Sequence, residues 1–218
     1  MIYKLKQDDF LFPDPKEADK NGIVAFGGDL NPKRLISAYQ SGIFPWPYID
    51  SPLLWFSPNP RAVLYPDLLH VSRSFRRSLR RYEIKIDENF YEVITLCAKV
   101  RENRCGTWIT DEMIKAYCEL FEAGFAHSVE SYDDNGVLVG GLYGVCVGNM
   151  FCGESMFSLQ KDASKAAFYA LSKKVEEKDG VIDCQIMNAH LKSLGAVNIP
   201  RDEFLQILAI SNGKSVIF

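Results

Sequence analysis

The sequence predicts a mixed α/β fold of the α+β kind, with a small loop-rich unit ahead of a larger one. Three observations predict it. The first sixty residues are crowded with Pro and Gly, in Phe12-Pro-Asp-Pro15, Gly27-Gly28, Phe44-Pro-Trp-Pro47 and Ser57-Pro-Asn-Pro60. From Arg61 onward, strand-like and helix-like segments alternate. Between Val137 and Phe157 two apolar runs meet at Gly148-Asn149, a hairpin signal. The expected division is residues 1–60 and 61–218.

Each element has a local reason. Asn31 is a good N-cap, Pro32 suits the first helical position and Gly42 the stop, with Leu35, Ile36 and Tyr39 on one face. Ser72 to Arg81 reads as a helix with Arg73, Arg76, Arg77, Arg80 and Arg81 in one stripe and Val71, Phe75 and Leu79 opposite. Val137 to Val147 and Asn149 to Phe157 form the hairpin strands, with Glu154 and Met156 expected on one face. Ala163 to Lys178 has helix-favouring composition, with Phe168, Leu171 and Val175 at helical spacing. Val181 to Met187 alternates as a strand, which places Asp183 and Gln185 on one face and Ile182, Cys184 and Ile186 on the other.

Composition excludes several classes. Of the 218 residues, 47% are hydrophobic and 24% charged, ordinary values for a soluble globular chain. No run approaches the ~20 apolar residues a membrane helix needs, and Met1 to Phe10 lacks a secretory apolar core. A cytoplasmic location is the expectation. Six cysteines without a C-x-x-C pair, and three scattered histidines, predict neither a disulfide framework nor a metal site. The net charge of −3 means that any nucleic-acid affinity must come from a local patch.

The arginine stripe is such a patch. No Asp or Glu interrupts it, and guanidinium forks suit phosphate oxygens. A solvated helix face is the plainer explanation of a charge run, but five like charges repel unless an anion meets them. Asp183, in an apolar strand, is either used in chemistry or bonded structurally, and its segment leaves both open. Glu154 among apolar neighbours calls for a partner. Trp46 and Trp108, on Pro- and Gly-flanked loops, are either packed or free to stack on an unpaired base.

Eleven motifs, in order over roughly Phe12 to Leu205, carry a family resemblance. They are Gly27-Gly-Asp-Leu30, Gly42-Ile-Phe-Pro-Trp46, Ser57-Pro-Asn-Pro-Arg-Ala-Val63, His70-Val-Ser-Arg73, Gly106-Thr-Trp-Ile-Thr110 and Ala126-His-Ser-Val-Glu130, followed by Gly140-Gly-Leu-Tyr-Gly144, Gly153-Glu-Ser-Met-Phe-Ser158, Ala163-Ser-Lys165, Ile182-Asp-Cys-Gln185 and Ser193-Leu-Gly-Ala196. The chain resembles the bacterial leucyl/phenylalanyl-tRNA–protein transferases. The resemblance implies a small N-terminal domain followed by one similar to the GCN5-related N-acetyltransferases. It implies transfer of Leu or Phe, and Met less well, from aminoacyl-tRNA to proteins with an N-terminal Arg or Lys. The products go to an ATP-dependent Clp protease by the N-end rule pathway. By the same resemblance Asp183, Gln185 and Glu154 are catalytic, and Trp46 and Trp108 meet the terminal adenosine. The resemblance also implies that Tyr39 and Tyr117 bind substrate, that Leu142, Met156, Phe168, Leu171 and Val175 line the pocket for the transferred residue, and that Arg73, Arg76, Arg77, Arg80 and Arg81 meet the tRNA.

The implied chemistry is physically reasonable. The ester is already activated, and an α-amine with a pKa of about 7.7–8.0 is partly neutral near pH 7. Gln185, an amide, can accept a hydrogen bond from that amine but cannot act as a strong base. Asp183 would polarise it or relay the proton. An apolar pocket separates side chains by only ~1–3 kcal/mol per methylene, so Leu, Phe and Met would not be sharply resolved. Aminoacyl-tRNA is the co-substrate, so no cofactor and no metal are expected, nor DNA or membrane as partners, and the chain should be a monomer. Leu159 and Ala189, where relatives often carry Arg and Pro, are departures at the expected pocket rim. A coenzyme A acetyltransferase is disfavoured, because Leu159-Gln-Lys-Asp162 offers no glycine loop for a pyrophosphate. A non-catalytic tRNA- or N-terminus-binding module is the other alternative.

Overall fold

A computed structural model of the chain describes residues 2–47 and 51–218, with the side chains of 103–105 left aside. Strands β1 (Tyr3–Leu5), β2 (Ile23–Gly27), β3 (Phe44–Trp46) and β4 (Leu54–Phe56) form a four-stranded sheet in the order β1-β2-β4-β3, with helix α1 (Pro32–Gln40) inserted before β3. Asn31 caps α1 by accepting the Lys33 N–H at 3.0 Å, and Pro32 opens it. Gly28 is required by its surroundings. It has φ +75°, and a Cβ there would lie 3.1 Å from Nε of the buried Arg34. That arginine donates to the carbonyls of Lys6, Gln7 and Asp9 and to the Asp29 carboxylate, fixing the N-terminal segment.

The rest of the chain builds β5 (Arg61–Leu64), α2 (Arg73–Leu79), β6 (Glu83–Ile86), α3 (Phe90–Cys105), α4 (Asp111–Glu122) and β7 (Ala126–Tyr132). Next come β8 (Leu138–Val147), β9 (Met150–Ser158), α5 (Ala163–Glu176), β10 (Val181–Gln185), α6 (Ala189–Leu194), β11 (Val197–Ile199) and α7 (Arg201–Asn212). Their seven strands make one mixed sheet, β11-β5-β10-β9-β8-β7-β6, in which only β9 and β10 pair parallel. The mixed α/β class is as the sequence predicts, and the β8–β9 hairpin turns at Gly148-Asn149.

Period-two alternation splits the side chains of this sheet between two cores. Val63, Tyr143, Val145, Val147 and Val181 face one core, shared with α1, α3, α4, α7 and the four-stranded sheet. Leu64, Leu142, Cys146 and Ile182 face the other, under Ala167, Phe168, Leu171 and Val175 of α5. Gly140 lets α5 approach the sheet, since a Cβ there would meet that of Ala163 at 2.5 Å. Glu130, fully buried, accepts the N–H groups of Glu88 and Asn89 and so fixes the chain just ahead of α3.

Two predicted details change. The expected strand Val181 to Met187 stops at Gln185, which adopts φ +62°. Glu154 and Met156 do not share a face. Gly144 pairs with Gly153 and Tyr143 with Ser155, so Glu154 is an extra residue in β9. That bulge reverses the alternation: Met150 and Cys152 before it and Phe157 after it face the first core, and Met156 packs against the second.

Candidate active site

Parallel pairing of β9 and β10 ends at Cys152 and Asp183. Beyond that point the strands are joined by side chains instead, and a cavity of about 570 Å³ opens across the sheet. The gap therefore reaches both cores. On the α5 side it is lined by Leu142, Met156, Phe168, Leu171, Ile182 and Leu191, and on the α3 side by Trp46, Trp108, Arg101 and Tyr143.

Its floor is a network of buried polar groups. Glu154 Oε1 accepts from Tyr39 Oη at 2.7 Å and from Gln185 Nε2 at 2.7 Å, while Oε2 accepts from Tyr117 Oη at 3.1 Å. The two tyrosine hydroxyls also lie in contact, so two hydroxyl protons are shared among three oxygen–oxygen contacts. Burial raises the Glu154 carboxyl to about 7, opposed by these three donors. The same burial, with the Glu154 charge beside them, pushes Tyr39 and Tyr117 well above their ordinary range. Alternation from Met150 and Cys152 already points Glu154 toward the two tyrosines, and the bulge turns Met156 to the opposite side.

Gln185 is thereby oriented. An ionised carboxylate can only accept, so it takes the amide Nε2 and leaves Oε1 as the acceptor of the pair turned away from it. The register of β10 against β5 shifts between Asp183 and Gln185, so regular alternation does not hold there, and Asp183 is engaged elsewhere. Its Oδ1 accepts Arg61 Nε at 2.8 Å and the Gln185 N–H at 2.9 Å, and Oδ2 accepts Arg61 Nη2 at 2.7 Å. Both partners of this fork are buried, at 0% and 1% exposure. Arg61 also donates to the Gly42 carbonyl and lies 4.3 Å from the Phe204 ring and 4.8 Å from that of Phe44. Asp183 is thus a fully partnered anion two residues from the group it positions.

Trp46 and Trp108 meet in the cavity, with ring centroids 5.4 Å apart and planes 30° from parallel. A base inserted between them needs about 7 Å, two ring contacts of ~3.5 Å. Stacking must use an outer face unless the pair opens. Leu142, Met156, Phe168 and Leu171 line the cavity. Val175 does not: it is buried lower on α5, close against Gly180. Tyr39 and Tyr117 stand behind Glu154 rather than in the lining.

The five arginines are all exposed, and none has a carboxylate partner among the described residues. Helix α2 is only seven residues long, so Arg80 caps it and Arg81 follows in a turn. Phe75 anchors it by an edge contact on Tyr169, Ser78 donates to Asp162, and Tyr82 donates to the Lys161 carbonyl. These contacts seat the stripe beside the N-terminus of α5. Lys165 there bonds Asp162 and lowers the pKa of His190, after desolvation the second cause; His190 lines the cavity mouth.

Arg61, Arg101 and Tyr143 were not singled out by the sequence reading. The signal for Arg61 was present, as an arginine opening the apolar strand Arg61-Ala-Val-Leu64. For Arg101 and Tyr143 no local pattern distinguishes them from ordinary helix and strand residues.

Comparison with known proteins follows this geometry. The family model described as leucyl/phenylalanyl-tRNA protein transferase matches residues 63–209, and that of its N-terminal domain matches 28–59. A protein of Idiomarina loihiensis with the name leucyl/phenylalanyl-tRNA–protein transferase is 50% identical, over 99% of this chain and 93% of its own. Its namesake in Nitrosospira multiformis is 55% identical over 92% and 88%. A solved structure of a conserved protein of unknown function from Bacteroides thetaiotaomicron aligns with TM-score 0.43 at 15% identity, over 72% of this chain and 55% of that one.

Proposed function

The chain belongs to the leucyl/phenylalanyl-tRNA–protein transferase family, and from that premise we propose that it moves Leu or Phe, and Met less well, from aminoacyl-tRNA to the N-terminal Arg or Lys of proteins. The observation that carries this reading is the Gln185 amide, clamped by Glu154 at the edge of an apolar cavity. The α-amine of the acceptor attacks the ester carbonyl. A C–N bond forms, the ester C–O bond breaks, and the ribose oxygen gains the proton the amine gives up.

Gln185 Oε1 accepts an N–H of that amine and sets its angle of attack, so most of the acceleration comes from orientation. Asp183 acts as a positioning residue: with Arg61 on both its oxygens it holds the Gln185 backbone and takes no proton. This narrows the relay role its neighbourhood suggested. Glu154 orients Gln185, and its charge attracts a cationic acceptor. Leu142, Met156, Phe168 and Leu171 receive the transferred side chain, and Trp46 or Trp108 stacks on the terminal adenosine. The exposed stripe from Arg73 to Arg81 meets tRNA phosphates. Aminoacyl-tRNA is the sole co-substrate.

The same reading carries the finer assignments: a division at residue 60, an acetyltransferase-like catalytic unit opened where β9 and β10 part, a cytoplasmic monomer, and products destined for N-end rule degradation. Among the described residues no helix is long and apolar enough to cross a membrane. The test is transfer of labelled Leu or Phe from charged tRNA to a peptide beginning with Arg or Lys. Labelled peptide is expected, and intact protein that leaves the peptide unlabelled overturns the reading.

A further inference from the structure

Beside the two tryptophans the cavity wall holds polar atoms the protein itself does not satisfy. Among the described residues, Arg101 Nε, Trp108 Nε1, Tyr143 Oη and Ser155 Oγ are buried without a hydrogen-bond partner, and all four residues line the cavity. Tyr143 is wholly buried, wedged edge-on against Phe90 and Tyr117. Arg101 has no carboxylate partner among the described residues, and its guanidinium carbon lies 5.8 Å from the Trp108 ring centroid. The arginine and indole nitrogens can only donate, and the two hydroxyls can. Orphaned buried donors are costly, so a cluster of them facing a cavity marks a place for an acceptor. The guanidinium makes an anionic acceptor the best match.

We propose that Arg101, with Trp108, Tyr143 and Ser155, forms a subsite for the phosphate on the 5′ side of the terminal nucleotide. The inference rests on the transferase reading. If the base stacks on the tryptophan pair and the aminoacyl group occupies the α5 side, the next charged group of the donor is that phosphate. A stacked arginine places its free edge beside the base it neighbours. The subsite is separate from the α2 stripe and reads the end of the acceptor strand rather than its stem. Competing occupants of the same donors are the ester carbonyl and the backbone of the acceptor peptide.

The experiment compares phenylalanyl esters of adenosine and of adenosine 5′-monophosphate as donors to an Arg-initiated peptide, with the parent enzyme, Arg101→Ala and Arg101→Lys. In parallel, quenching of tryptophan fluorescence measures binding of adenosine and of its 5′-monophosphate. The parent is expected to prefer the phosphorylated form about tenfold in kcat/KM and in affinity. Arg101→Ala should bring both ratios to about one, and Arg101→Lys should keep part of each. A parent with no preference, or an alanine variant that slows both esters equally, overturns the proposal and assigns the donors to the ester or peptide. Transfer from neither ester but from charged tRNA also overturns it. No transfer from tRNA by the parent overturns the transferase reading instead, while the binding ratios still decide the subsite.

Discussion

At the residue scale the site separates two acids that the sequence treats alike. Asp183 is buried against Arg61 with every contact charge-assisted, whereas Glu154 is buried among neutral donors. Removing one member of a buried pair leaves the other uncompensated, at a cost of about 3–5 kcal/mol. Asp183→Asn should therefore lower stability by that order in urea unfolding. Gln185→Ala should unfold near the parent midpoint and lose activity by about 10²-fold. Equal stability of parent and Asp183→Asn would contradict the positioning role. Glu154 gives the opposite pH signature. Its folded pKa of about 7 lies above the usual 4.5, so the fold binds the extra proton between those values. Its contribution to stability falls as pH rises from 4.5 through 7 and is level above, a loss of about 3 kcal/mol. Glu154→Gln should flatten that stretch of the curve, and parallel curves for variant and parent would refute the assignment. Which acid is which was not legible in the sequence, because the deciding partners, Arg61, Tyr39 and Tyr117, lie 37 to 122 positions away.

At the element scale, what the sequence showed well was whatever a short window determines. The Asn31-Pro32 helix start, the Gly148-Asn149 turn and the Ser72 start of α2 follow from local propensity, whereas α2 ends at Leu79, short of Arg80 and Arg81. The bulge at Glu154 did not show, since Phe151 to Phe157 reads as regular alternation whether or not an extra residue is inserted. The bulge is a tertiary outcome: it lets one strand send Glu154 toward α1 and α4 and Met156 toward α5. Helix α2 is likewise too short to stand alone and depends on Phe75, Ser78 and Tyr82 for its seat. Its arginines are exposed, and the tRNA contact proposed for them is one of charge. Changing Arg77 and Arg80 to Ala should weaken tRNA binding and reduce the slope of log affinity against log salt by about two. Filter binding at several salt concentrations reads this directly, and an unchanged slope would remove α2 from the interface.

At the scale of the whole molecule, the break near residue 60 is visible in the sequence, yet it is not an energetic boundary. Arg61, the first residue of the seven-stranded sheet, donates to Gly42, packs on Phe44 and Phe204 and pairs with Asp183. Tyr39 of α1 reaches Glu154 of β9, and Trp46 of the small sheet meets Trp108 on the segment between α3 and α4. One hydrophobic core contains Val24, Leu35 and Trp55 from the first part and Val93, Tyr117 and Tyr143 from the second. The floor of the cavity thus needs both parts in place, and neither can open without exposing the buried Arg61–Asp183 pair. Unfolding should therefore be a single transition. Variants that keep only Trp55 or only Trp108 as fluorophore, with the other tryptophans changed to Phe, report separately on the N-terminal sheet and on the α3–α4 segment of the larger part. Both signals should share one urea midpoint with the far-ultraviolet circular dichroism of the same variant. A Trp55 transition that precedes the dichroism would show the N-terminal sheet to be independent, and would leave the clamp on Gln185 to be held by the larger sheet alone.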